Sequence, residues 1–192
     1  MEAKQVQFKK RNQFLEVWKR LRKNKMAIWG MCIVLFLILL AIFADVIAPY
    51  DPAATDFSAR LQMPSRAHWF GTDNLGRDIL SRVIYGGRTS LLVATLAELM
   101  AMVVGCFFGL TAAYFGGKYE AIVMRLNDIL MAIPTMLLAI CVSAVLGTGT
   151  INTAIAVAIG GLPGFIRLMR ASALTIKNQE YVEAAVAIGS GN

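Results

Sequence analysis

The chain has 192 residues, of which 57% are hydrophobic and 16% charged; mean hydropathy is +0.60 and formal net charge is +7. The apolar residues fall in blocks of roughly 20, enough to cross a hydrocarbon core of about 30 Å at about 1.5 Å per helical residue. A water-soluble domain is excluded, and an all-α integral membrane protein is predicted.

Residues 1–25 carry nine Lys/Arg against Glu2 and Glu16. Beside an apolar span, such a tail reads as a cytoplasmic membrane flank rather than a nucleic-acid arm. Phe14, Val17, Trp18 and Leu21 share one helical face among basic residues, the pattern of a surface helix with its cations toward anionic headgroups. The first span is expected over 26–48, stopped by Pro49. It is too long for a signal-peptide core, and no small-residue cleavage site follows it.

Residues 49–89 form a polar, aromatic, extracytoplasmic segment with five arginines, four aspartates and no lysine. Ile79, Leu80, Val83 and Ile84 give it one short amphipathic helix, for which Thr72 or Asp73 is the expected cap. Asp73, Asn74 and Asp78 lie close together, but their spacing does not fit a calcium loop. Three further spans are expected over 90–114, 121–146 and 151–168. A stretch over 169–192 then returns to the cytoplasmic side. With the N-terminus inside, inner segments hold 14 Lys/Arg and the outer segment five, which satisfies the positive-inside rule.

Gly105 and Gly109, and again Gly160 and Gly164, stand four apart and suit close helix approach. Pro134 and Pro163 should kink their helices locally. Arg125 and Asp128 are placed to pair with each other. Cys32, Cys106, Cys141 and the single histidine, His68, show no metal-ligand spacing, so packing is expected of the cysteines and no metal site is expected. Glu98 is the costly residue, about 12 Å into the second span. Two roles are open to it: lining a translocation path, or hydrogen-bonding within the bundle while protonated.

Three stretches carry a family resemblance. FGTDNLGRDILSRVIYGGRTSL (70–91) closely resembles the signature of the C-type permease subunit of oligopeptide, dipeptide and nickel ABC importers; MRLNDILMAIPTMLLAI (124–140) is similar to that family's third-span region. YVEAAVAIGSGN (181–192) resembles the EAA loop by which such permeases touch their ATPases. The resemblance implies the type I ABC importer transmembrane fold, with four of six transmembrane helices and the first half of the EAA loop in this chain. It makes Gly71, Asp73, Gly76, Arg77, Asp78, Ser81, Arg82 and Arg88 signature residues of unassigned role. Glu183, Ala184, Ala185 and Gly189 become the ATPase contact, with Val186 where the family usually has a basic residue.

The implied function is a non-catalytic permease subunit in a multi-pass inner membrane location, carrying peptides. The alternatives are nickel or another small solute, or an ion-coupled secondary transporter. Implied partners are a homologous permease in a heterodimer, two ATP-binding subunits, an extracytoplasmic substrate-binding protein and the lipid bilayer, with no nucleic acid. No GxxxxGK[ST] phosphate loop occurs, so no cofactor is expected on this chain, and ATP and Mg belong to the partner ATPases.

Overall fold

The computed structural model describes Trp18 and residues 21–189. Most of the basic tail, and the final three residues of the EAA-like stretch, lie outside the described residues. The chain divides into two units, one up to Arg88 and one from Thr89.

In the first unit, α1 (Lys25–Ile42) begins at Asn24, whose side chain accepts from the N–H groups of Met26 and Ala27 at 3.1 and 3.3 Å. A short α2 (Ala44–Ile47) follows after Phe43. No residue of α1 is buried within this chain, so Cys32 is exposed rather than packed; Cys141, in the second unit, is exposed as well. Residues 49–78 contain one 3-10 turn (Phe57–Ala59) and an isolated antiparallel bridge between Thr72 and Asp78.

The amphipathic segment and the second span expected from the sequence are one continuous helix, α3 (Ile79–Phe115, 37 residues), which carries the chain from the first unit into the second. Gly86 and Gly87 lie inside it without breaking it, because helix-interior glycine costs only about 1 kcal/mol against alanine.

The second unit adds α4 (Gly117–Ala132), α5 (Thr135–Leu146), α6 (Thr150–Lys177) and α7 (Glu180–Ala187). The sequence predicts one span over 121–146, but α4 and α5 meet at 93°. Proline both lacks an N–H and drives the preceding residue out of the helical region, and Ile133 is extended at φ −92°, ψ 127°. Pro163 behaves differently: it is buried inside α6, which continues through it. Among the described residues, α1, α3 and α6 are each long and apolar enough to cross a membrane, and the bent pair makes a fourth if it counts as one span.

The core of this unit is small-residue packing. Ala97 and Ala101 of α3 meet Ala154 and Ala158 of α6, while Ala112, Val123 and Ile166 join α3, α4 and α6. Gly105 and Gly109 permit that approach: a Cβ on either would stand 2.5 Å from an atom of α6, Phe165 Cβ and the Ile166 carbonyl oxygen. Gly160 is similarly closed by Thr135 of α5, whereas Gly164 faces open space. Only half of the second glycine pair therefore serves close approach.

Candidate functional site

Gly71 and Gly76 both have φ +75°, a conformation that side-chain-bearing residues avoid. A Cβ on them would overlap the backbone of Gln62 and Asp56, so these two turns admit glycine alone. Between them Asp73 is a hub. One of its carboxylate oxygens accepts from the N–H groups of Leu75 and Arg77 at 2.8 and 3.0 Å. The other accepts from Arg77 Nε at 2.8 Å and from the Arg82 guanidinium. Burial raises the Asp73 carboxyl, but the two N–H bonds and the Arg77 guanidinium outweigh it and hold the group at about 2. These donors occupy both oxygens of the carboxylate.

The cap of the long helix is Asp78, not Thr72 or Asp73. Its carboxylate accepts from the N–H and the hydroxyl of Ser81, both at 2.8 Å, and faces His68 Nδ1 at 3.0 Å. Thr72 is instead spent on the preceding loop, accepting from Gln62 N–H and donating to the Ala59 carbonyl. The usable signal was adjacency, since Asp78 stands immediately before Ile79 and a cap side chain reaches the N–H two or three residues on. Burial raises the Asp78 carboxyl, yet its Ser81 and His68 partners bring it below the usual range. The Ser81 hydroxyl, wholly buried, also accepts from Tyr50 N–H at 3.1 Å, and the Tyr50 ring lies 4.9 Å from that of His68. Arg88 reaches both oxygens of Asp45, at 3.2 and 3.0 Å, and the Tyr85 hydroxyl donates to the same group at 2.8 Å.

All eight signature residues thus act within the first unit, fastening residues 45–78 to the start of α3. Tyr50 and His68 join Asp78 and Ser81, Asp45 joins Arg88, and sequence reasoning did not single these three out for it. Asp45 left one usable signal: an acidic residue near the end of an otherwise apolar run.

In the second unit, Glu98 follows the buried Ala97 on α3 and is itself exposed in this chain. Asp128 pairs with Arg167 of α6 at 3.1 Å, not with Arg125. The partner comes from the facing helix, which local spacing cannot reveal.

The C-terminal stretch forms α7, and Gly189 closes it at φ +85°, the left-handed turn expected there. Glu183, Ala185 and Val186 line an open groove of about 1020 Å³ together with Leu110, Ala113, Tyr114 and Phe115 of α3. Ala184 is exposed. Among the described residues, no three His, Cys, Asp or Glu side chains gather to hold a metal ion.

Residues 12–64 match the family described as the N-terminal TM domain of oligopeptide transport permease C, and residues 101–192 match the binding-protein-dependent transport system inner membrane component. The chain belongs to this family of ABC importer permeases. It is 44% identical over 177 residues to the dipeptide transport system permease protein DppC of Alkalihalophilus pseudofirmus, covering 92% of this chain and 58% of that protein. It is 43% identical over 183 residues to the glutathione transport system permease protein GsiD of Escherichia coli O157:H7, with 95% and 60% covered. The GsiD protein of Pectobacterium atrosepticum is 39% identical over 183 residues, with 95% and 61% covered. The chain therefore spans about three fifths of the length of these relatives. The fold is the all-α transmembrane fold of the family.

Proposed function

We propose that this chain is permease sequence of an ATP-driven importer of small peptides, and that α7 is its contact with the ATPase. The observation that carries the reading is α7 itself. An Ala-rich helix with Glu183 in its first turn stands two residues beyond α6 and ends in a glycine turn. Small side chains let another protein approach the backbone, and a carboxylate can accept a charge-assisted bond from its arginine or lysine. That similar proteins are dipeptide and glutathione permeases supports the substrate class.

In this reading the chain sits in the inner membrane with its N-terminus in the cytoplasm, paired with a homologous permease. An extracytoplasmic binding protein delivers substrate to the side of residues 49–78, and Glu98 faces the path. Two partner subunits hold ATP and Mg and perform the hydrolysis. The chain's own task is mechanical: α7 receives the displacement and shifts the population of helix arrangements.

The test is Ala185→Trp in the assembled transporter. An indole here should block close approach, so that the ATPase no longer co-purifies and ATP-dependent uptake is lost while membrane insertion survives. Gly189→Val should do similar damage by forbidding the turn. Retention of both ATPase binding and uptake in Ala185→Trp would refute the assignment.

A further inference from the structure

Three helix ends meet next to α7. The carbonyls in the last turn of α3 have no successors in their helix, and the Lys177 ammonium stands 3.5 Å from those of Ala113 and Tyr114. Glu120, in the first turn of α4, accepts from Arg170 Nε at 2.6 Å, and a second guanidinium nitrogen reaches the same oxygen. Each ion complements the helix end it touches: a cation at the C-terminus of α3, an anion at the N-terminus of α4. Arg170 and Glu120 are only 32% and 22% exposed, so solvent competes with the pair less than it would at a free surface. The apolar contacts of Ile166 with Ala112 and Val123 lie one turn behind Arg170 and back the polar contacts with packing.

The link from α6 to α7 has little slack. Only Asn178 and Gln179 separate the helices, and their N–H groups bond back to Leu174 and Ile176 at 3.2 and 3.1 Å. The Gln179 carbonyl in turn accepts from Val182 and Glu183 at 2.8 and 3.2 Å. Directly between α7 and the end of α3 there is the open groove rather than packed side chains. A displacement of α7 therefore has one covalently and electrostatically continuous route into the bundle, through the last turns of α6.

We propose that Arg170, Glu120 and Lys177 form a clamp that passes movement of α7 to α3 and α4 together. This rests on α7 being the ATPase contact; the three residues lie on α4 and α6 rather than on α7, Lys177 lining the groove beside it. They are positioning residues, and their signature is the number of substrate molecules imported per ATP rather than ATPase binding.

The experiment uses the assembled transporter in proteoliposomes, with uptake, ATP hydrolysis and ATPase co-purification measured on the same preparations. Lys177→Met keeps the long apolar stem and removes the donor, and Arg170→Gln removes the ion pair. Both should retain the ATPase and hydrolyse ATP while uptake per ATP falls roughly five- to tenfold, within the usual range of coupling between sites. The exchanged pair Glu120→Arg with Arg170→Glu should recover at least half of what Arg170→Glu alone loses. Unchanged uptake per ATP in Lys177→Met and Arg170→Gln overturns the clamp, as does a loss that the exchanged pair fails to recover. Loss of ATPase co-purification in Lys177→Met also overturns it, by placing Lys177 in the docking surface. A failure of the docking assignment is separately visible, as an ATPase that stays bound and active with Ala185→Trp.

Discussion

A Cβ placed on Gly109 would stand 2.5 Å from the carbonyl oxygen of Ile166 and 2.9 Å from Met169 Cβ. The neighbour at closest range is backbone, which cannot rotate out of the way, so α3 and α6 touch there at a distance only glycine allows. Gly109→Leu should separate the two helices and cost on the order of 1–3 kcal/mol, the usual range for overpacking. Heat or SDS unfolding in detergent micelles reads that loss. Gly86→Ala is the matched control on the same helix: nothing lies within 4 Å of its added methyl, so stability should hold or rise slightly. Equal behaviour of the two variants would show that the close approach is not a feature of the folded protein.

Asp73 sets a pH limit for the segment it organises. Its folded carboxyl is held at about 2 against an ordinary 3.8, so it contributes stability above about pH 4 that is lost as pH falls toward 2. Asp78 shifts in the same direction and adds to the effect. Amide exchange over residues 71–82, corrected for the intrinsic rate at each pH, should show constant protection from pH 7 to about 4 and progressive loss below it. In Asp73→Asn the contribution from that group should be missing at every pH. Protection that begins to fall well above pH 4 would mean that another group governs this segment.

Sidedness gives a third test. The 14-to-5 distribution of Lys/Arg predicts residues 49–78 outside and α7 inside. His68 and Asp73 are engaged in hydrogen bonds, so a cysteine at Met63, which is 84% exposed, reports on the same segment without breaking it. With Cys32, Cys106 and Cys141 replaced, an impermeant thiol reagent should label Met63→Cys in intact cells and Glu183→Cys only after lysis. Labelling of Glu183→Cys from outside would reverse the orientation and remove α7 from reach of any cytoplasmic ATPase.

Much of this was legible because the bilayer imposes length and apolarity on a span, and both are properties of composition. Gly105 and Gly109 were readable because glycines four apart share one helix face and suit close approach, although Gly164 shows that the spacing does not guarantee it. The helix of the EAA-like stretch and the turn at Gly189 could be read from its alanines and its glycine. What the sequence concealed were relationships over distance. The pairing of Asp128 with Arg167, of Glu120 with Arg170, and of Asp45 with Arg88 spans 39 to 50 residues, and each competed with a plausible local partner or none. The 93° break at Ile133 was also underestimated. Pro134 and Pro163 look alike in sequence, yet one ends a helix and the other is packed into one. Pro163 is buried within its helix, and burial is a tertiary property that the sequence does not display.

Glu98 remains the sharpest single test of the path. A carboxylate on a membrane-spanning helix is stable only against water or protein, since exposing it to lipid costs several kcal/mol. In this chain its side of α3 is uncovered, while the adjacent Ala97 packs against α6. Further protein of the bundle, from this subunit or a partner, or an aqueous path must therefore complete its surroundings. If the path does so, Glu98→Gln should lower substrate-stimulated uptake in reconstituted vesicles about tenfold or more at unchanged expression and assembly, because the charge itself is what a moving polar substrate meets. If a hydrogen bond within the bundle does so, glutamine preserves both the shape and a hydrogen-bond donor and should be nearly silent. Glu98→Leu separates the cases from the other side. It removes the polar group without adding cost in lipid, so assembly should survive it in the path case and weaken in the bundle case, where a buried partner loses its hydrogen bond. Silent uptake in Glu98→Gln combined with impaired assembly in Glu98→Leu would take Glu98 out of the path and make it a polar group of the bundle.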